Sequence, residues 1–182
     1  MSEKVPFSDE EWSAFTELLE VRRLKKGEHL IRAGEMENYL YWMIDGVIRG
    51  YYLRDGEELV AGFSFDFSLS GAYDSFISRN PTNVFVQAIS DATLVCLHRD
   101  KLESLYDRFK SFERYGRLNL EEMFLKKAQH EIAVLSYSAE ERLQRLMRDS
   151  PGIFQLVPLK HLASYLGMKP ETLSRLRSKL RS

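Results

Sequence analysis

Residues 24–65 read "LKKGEHLIRAGEMENYLYWMIDGVIRGYYLRDGEELVAGFSF". The apolar residues come in short bursts, and Gly27, Gly34, Gly46 and Gly56 fall between them. A helix tolerates such glycines poorly. Short alternating strands with turns at roughly 8–12-residue spacing are the pattern of an all-β sandwich or barrel. "RDGE" predicts a hairpin turn, because Asp-Gly tolerates positive φ. A looser segment, "SLSGAYDSFISRNPTN" at 68–83, interrupts the strands, and "VFVQAISDATLVCL" resumes them, so the β region is expected over Val21–Leu97.

Helices flank this region. In "FSDEEWSAFTELL", Ser8 and Glu11 form a capping box, Phe7 and Trp12 are spaced as a hydrophobic staple, and Trp12, Phe15, Leu18 and Leu19 share a face. Asp100–Asp149 is helical in composition, with no proline before Pro151. Leu118, Leu125 and Ile132 recur every seven residues, and Ala128 and Leu135 fit a companion seam that Glu121 breaks. Two arrangements fit: a helix packed on its own domain, or one pairing with a second copy of the chain. Ser138 and Glu141 form a second capping box, so the long helix is expected to stop near Ser136–Tyr137, a candidate hinge. "DSPG" at Asp149–Gly152 is the next linker.

Charge gathers at the end of the chain. From Gln155 onward there are six basic residues against the single acid Glu171, a local +5; the whole chain carries −1, leaving −6 for the rest. Such asymmetry points to a polyanionic partner. Here Leu159, Leu162, Ala163 and Leu166 form one apolar face, Gly167 ends that helix, Pro170 opens another, and Leu173, Leu176 and Leu180 give the second its apolar side. Two short helices about a glycine turn are a helix-turn-helix. Its outward face carries Lys169, Pro170, Glu171, Thr172, Ser174, Arg175, Lys179 and Arg181. Arginine can bridge guanine O6 and N7, glutamate can accept from cytosine N4, and lysine, serine and threonine can hold phosphates. The competing view is a solvated helical hairpin.

Other classes are excluded or disfavoured. One cysteine, Cys96, cannot build a disulfide framework, a four-cysteine iron–sulfur site or a zinc ribbon within one chain. No haem-ligand motif is present, and no cofactor is expected. The start, "MSEKVPFSDEEW", has no signal-peptide core, and the longest apolar run, "LYWMI", is far too short to span a bilayer, so a cytoplasmic protein without membrane contact is expected. A metal-dependent jelly-roll enzyme needs clustered histidines; the β region offers only His29 and His98, and no enzyme is expected.

Taken together, the glycine-spaced run, the segment "SGAYDSFISRNPTNVFVQAISDATLVCL" and the motif "LASYLGMKPETLSRL" resemble the catabolite-activator (Crp/Fnr) family of transcription regulators over nearly the whole chain. The resemblance implies an α+β chain in three parts: a cyclic-nucleotide-binding-like jelly roll at 1–110, a dimerisation helix at 111–137 and a helix-turn-helix at 138–182, with the usual wing absent. It implies double-stranded DNA, a second copy, RNA polymerase and a small-molecule effector as partners. It places the effector pocket at Gly71, Ala72, Tyr73, Thr82, Asn83, Lys127 and Ala128. Family members that bind nucleotides use a glycine-glutamate pair for the ribose and an arginine-serine pair for the phosphate. Here Ala72 replaces the glutamate, Thr82 and Asn83 replace the arginine-serine pair, and Lys127 and Ala128 stand at the adenine-contacting pair, so cyclic AMP is not expected in the usual mode. Phe63, Phe65, Phe67, Tyr73 and Phe76 are expected around this segment, as core or as the lining of a more apolar pocket. Two alternatives remain: a dimeric module that has lost DNA binding, and a cyclic-nucleotide regulator with a divergent pocket.

Overall fold

A computed structural model describes residues 5–65 and 67–180. Helix α1 (Asp9–Thr16) starts at Ser8, whose hydroxyl accepts from the Glu11 N–H while the Glu11 carboxylate accepts from the Ser8 N–H. Phe7 stacks on Trp12 at 5.8 Å. The helix ends at Thr16, so Leu18 and Leu19 lie beyond it rather than on its face.

Eight strands follow: β1 (Glu20–Leu24), β2 (His29–Ile31), β3 (Tyr39–Asp45), β4 (Ile48–Arg54), β5 (Glu57–Ser64), β6 (Leu69–Ser70), β7 (Phe85–Ala88) and β8 (Ala92–His98). They form two four-stranded antiparallel sheets, in the orders β1-β8-β3-β6 and β2-β7-β4-β5. The first strand therefore pairs with the last and the second with the seventh, which is a jelly roll. The β4–β5 hairpin turns at Asp55 and Gly56, both at positive φ. Gly46 is the tightest turn. Its φ is +89°, and a Cβ there would lie 2.2 Å from the Asp91 carbonyl oxygen.

The apolar run in β3 is continuous because both of its faces are covered. Tyr41 and Met43 join Leu24, Ile48, Val86 and Leu94 between the sheets. Leu40 and Trp42 face outward under α1, α3 (Arg99–Arg108) and α4 (Lys110–Ser136), against Phe15, Leu97, Leu105 and Phe112. The helical composition of 100–136 does not reveal the break at Phe109, where φ −137° and ψ 113° separate α3 from α4. No proline or glycine marks it; tertiary burial of Phe112 overrides local propensity. Of the five aromatics expected as core or pocket lining, Phe63, Phe67 and Tyr73 line one cleft beside Gly71 and Ala72. Phe63 and Phe65 pack toward the helical tail, Phe67 is 75% exposed, and Tyr73 and Phe76, on α2 (Tyr73–Ser78), join the cluster under α3 and α4.

The tail comprises α5 (Ala139–Asp149), α6 (Ile153–Leu156), α7 (Leu159–Tyr165) and α8 (Pro170–Lys179). It docks on the second sheet through Val47, Phe63, Phe65 and Ile89. The Val60 N–H donates to the Ser164 hydroxyl at 3.0 Å, and that hydroxyl donates to the Glu58 carbonyl at 2.9 Å, so α7 is bonded to the backbone of β5. Beneath α7 lies Arg49, only 4% exposed. Its guanidinium donates twice to Glu58, at 2.5 and 2.8 Å, and also to Gln87 at 2.7 Å and to His161 Nδ1 at 2.8 Å. Arginine has no acceptor, so Nδ1 must be unprotonated.

Two outcomes are expected. Gly46→Ala should lower unfolding free energy by about 2–4 kcal/mol, because positive φ and a backbone clash combine. Gly56→Ala meets only open space and should cost about 1–2 kcal/mol in the same denaturant titration. Burial, then the charges of Arg49 and Lys160, pull the His161 pKa from 6.5 down to about 4, opposed by Glu58. The unfolded imidazole takes up a proton across that window and the docked one does not. Stability is therefore expected to fall as pH drops from 6.5 toward 4, and this contribution is constant above 6.5. His161→Gln keeps an acceptor for Arg49 without titrating, and should flatten the fall in thermal midpoint. Identical pH slopes in the two proteins would contradict the assignment.

Candidate functional site

The helical pair is shaped by its turn. Gly167 has φ +62°; its N–H donates to the Ser164 carbonyl and the Met168 N–H to the Ala163 carbonyl, each at 3.0 Å, which is a Schellman closure of α7. Pro170 then opens α8 at its first position. Leu162, Ala163 and Leu173 are fully buried against Leu143 of α5. Ala163 is small where the helices meet, and no larger side chain fits so close a contact without repacking. Arg142 clasps the unit, donating to the carbonyls of Tyr137, Leu166 and Gly167 at 2.6, 2.7 and 3.4 Å. A cation suits these two helix ends.

This packing leaves one side of α8 in water. Lys169, Pro170, Glu171, Ser174 and Arg175 are exposed and Thr172 is half-buried. Glu171 and Arg175, a helical turn apart, make no ion pair or hydrogen bond with each other. Lys179 reaches Glu140 of α5 at 3.2 Å. Arg177 turns inward instead, its guanidinium over the Phe154 ring at 4.7 Å.

The second candidate site is a cleft of about 570 Å³ between the roll and α4, lined by residues that include Ile48, Gly50, Tyr52, Val84, Met123 and Lys126. Gly71, Ala72, Tyr73 and Lys127 line it; Thr82, Asn83 and Ala128 do not. Thr82 is 1% exposed, and its hydroxyl donates to the Asp74 carboxylate at 3.2 Å while accepting from the Val84 N–H. Asn83 is exposed. Arg79, the one arginine of the 68–83 segment, donates to the Glu37 carbonyl and the Asn38 side chain, away from the cleft. Asp74 itself lines the cleft.

Several residues here escape sequence reasoning. Glu37 is buried, and its carboxylate accepts from the Tyr41 hydroxyl and from the Tyr39 and Ala72 N–H groups. Burial pushes its carboxyl above the usual range. Nothing in "GEMEN" signals this. Arg49 alternates with Ile48 and Gly50 and so reads as a solvent-facing strand position; only docking of α7 buries it. In α4, Leu125, Ile132 and Leu135 are exposed, at 58%, 52% and 78%, while Leu118 and Ala128 are half-buried, so the later part of the seven-residue seam faces away from the rest of the chain.

Residues 21–109 match the family described as the cyclic nucleotide-binding domain. The chain is 28% identical over 188 residues to the fumarate and nitrate reduction regulatory protein of Yersinia pestis, covering 94% of this chain and 74% of that protein. It is equally identical to the anaerobic regulatory protein of Haemophilus influenzae, covering 94% and 72%. The fold resembles that of FixK2 from Bradyrhizobium japonicum, with a TM-score of 0.80 at 19% identity over 90% of this chain and 84% of that one. It also resembles the c-di-GMP responsive global regulator CLP of Xanthomonas campestris, with a TM-score of 0.73 at 19% identity over 96% and 92%. With its jelly roll, long helix and terminal helical pair in this order, the chain is similar over nearly its whole length to transcription regulators of the Crp/Fnr type, and its residues 21–109 match the cyclic nucleotide-binding domain.

Proposed function

We propose that the chain acts as a dimer that places two copies of α8 in successive major grooves of double-stranded DNA. The single observation carrying this is the exposed face of α8, which combines Lys169, Glu171, Ser174 and Arg175 on a helix whose other face is locked into the tail. Arg175 and Glu171 would read base edges, Lys169, Thr172, Ser174 and Lys179 would set the helix against phosphates, and Pro170 would fix where the helix starts at the groove. The exposed α4 seam supports the pairing of two copies. The division into a sensor at 1–110, a dimer helix at 111–137 and a DNA-binding part at 138–182 belongs to the same proposal. RNA polymerase is its further partner and the cytoplasm its place; no helix among the described residues is long and apolar enough to cross a membrane.

The cleft is the proposed seat of a small-molecule effector, touching Gly71, Ala72, Tyr73 and Lys127. Asn83 and Ala128 lie off its lining, and Thr82 supports it through Asp74, which lines it. A cyclic phosphate is a poor fit. Asp74 puts a carboxylate on the cleft wall beside Gly71 and Ala72, Ala72 offers nothing to a ribose, and Thr82 has its hydroxyl engaged. An unpaired buried charge is costly.

Arg175→Ala is expected to weaken a selected operator by about 1–3 kcal/mol and to relax preference at one base pair. Lys169→Ala should weaken all DNA alike and lower the slope of log affinity against log salt by about one. Titrations of operator and random DNA at several salt concentrations separate the two. Equal losses on both DNAs for Arg175→Ala would reduce it to a phosphate contact. In calorimetry, cyclic AMP and cyclic GMP should bind no tighter than about 1 mM, and micromolar binding would overturn the effector reading.

A further inference from the structure

A further cavity of about 620 Å³ lies where the tail meets the roll. Its walls come from β5 (Phe63), α4 (His130), α5 (Arg142 and Arg145) and α7 (Tyr165), so an occupant touches both parts at once. Charge in it is one-sided. The cationic residues lining it are Lys126, Arg142 and Arg145, and the acidic one is Asp149. Asp149 already accepts from Arg148 at 3.0 Å, Lys126 pairs with Glu122 at 2.6 Å, and Arg142 has its donors on backbone carbonyls. Arg145 is different. It is half-buried, and among the described residues it makes no ion pair or hydrogen bond; its guanidinium lies over the Tyr137 ring at 4.6 Å.

A guanidinium without an acceptor is a planar fork of donors, and it fits a carboxylate with two parallel bonds. One free cation matches one negative charge, which favours a carboxylate over a doubly charged phosphate. Aromatic surface lines the same cavity. Phe63 meets the Tyr165 ring edge-on at 5.5 Å, and His130 stacks on Tyr165 at 4.3 Å. Burial, then the charge of Arg142, lowers the His130 pKa, so this ring is neutral at neutral pH and adds to the uncharged wall. Aromatic walls with a few convergent polar groups are the usual makeup of a small-molecule site.

We propose that this junction is a ligand site separate from the effector cleft, taking an aryl carboxylate whose acid group is held by Arg145 and whose ring lies against Phe63 and Tyr165. The occupant links β5 to α5 and α7, and through Arg145 it bears on Tyr137, the extended residue between α4 and α5. A ligand that needs both walls favours the placement in which roll and tail are together. Phe63, Ser68 and Lys126 line both this cavity and the cleft, so the test has to tell the two apart. The site stands whether or not α8 binds DNA.

The test uses the full chain and naphthalene-2-acetate, with naphthalene-2-acetamide as its uncharged counterpart. The imidazole signals of the four histidines are followed by NMR, and His130→Gln assigns that of His130. The acid should shift the His130 signals to saturation. The amide should bind roughly tenfold more weakly, as loss of a charge-assisted hydrogen bond predicts. Arg145→Gln should bind acid and amide equally. The Met123 methyl, which lines the cleft and not this cavity, should stay in place. His130 signals that do not move up to about 10 mM acid overturn the proposal. So does equal binding of acid and amide by the unmodified chain, an acid preference that survives in Arg145→Gln, or saturation at the Met123 methyl instead. The comparison of acid with amide in the unmodified chain decides the matter even if the Arg145 variant does not fold.

Discussion

Arginine keeps its charge at any pH a protein survives, so a buried guanidinium must be matched where it lies. Arg49, on β4, is matched by groups from three other elements: Glu58 on β5, Gln87 on β7 and His161 on α7. Its guanidinium also lies over the Tyr51 ring at 4.2 Å. Removing one partner of a fully buried pair costs about 3–5 kcal/mol. The cost here is smaller, because the Glu58 side chain is 39% exposed. The roll and the tail are thus joined by a contact that is complete or broken, with little between. The Arg49 bonds also hold the Glu58 carboxyl below its usual range, which keeps the pair charged.

From this contact the rest of the arrangement follows. Ser164 ties α7 to the backbone of β5, and Arg142 ties α7 to the end of α4. Helix α8 is then presented by a unit fixed at both ends. His130 of α4 stacks on Tyr165 of α7 at 4.3 Å, a third link between the long helix and the tail. A ligand in the cleft touches Met123, Lys126 and Lys127 on α4, so it could reach α8 through these links. It shifts the tail only by as much as it favours one placement of α4 over another. Tyr137 and Ser138, both extended between α4 and α5, supply a place for that change to occur.

Much of this is legible in the sequence where local chemistry decides. Gly27, Gly34, Gly46 and Gly56 all sit at positive φ, as strand turns require, and both capping boxes close as their spacing implies. The glycine turn and the proline start of the terminal pair are equally local. What stays hidden depends on contacts distant in sequence. The break at Phe109 is set by burial of Phe112 against Phe15, and the burial of Arg49 by a helix more than a hundred residues away.

The most direct measurement is selection of bound DNA from a random pool by the full chain, followed by sequencing. A dimer presenting two copies of α8 predicts an inverted repeat whose half-sites lie about one helical turn, roughly 34 Å, apart. A pool that shows no enriched sequence, or a single half-site without its inverted mate, would contradict the account.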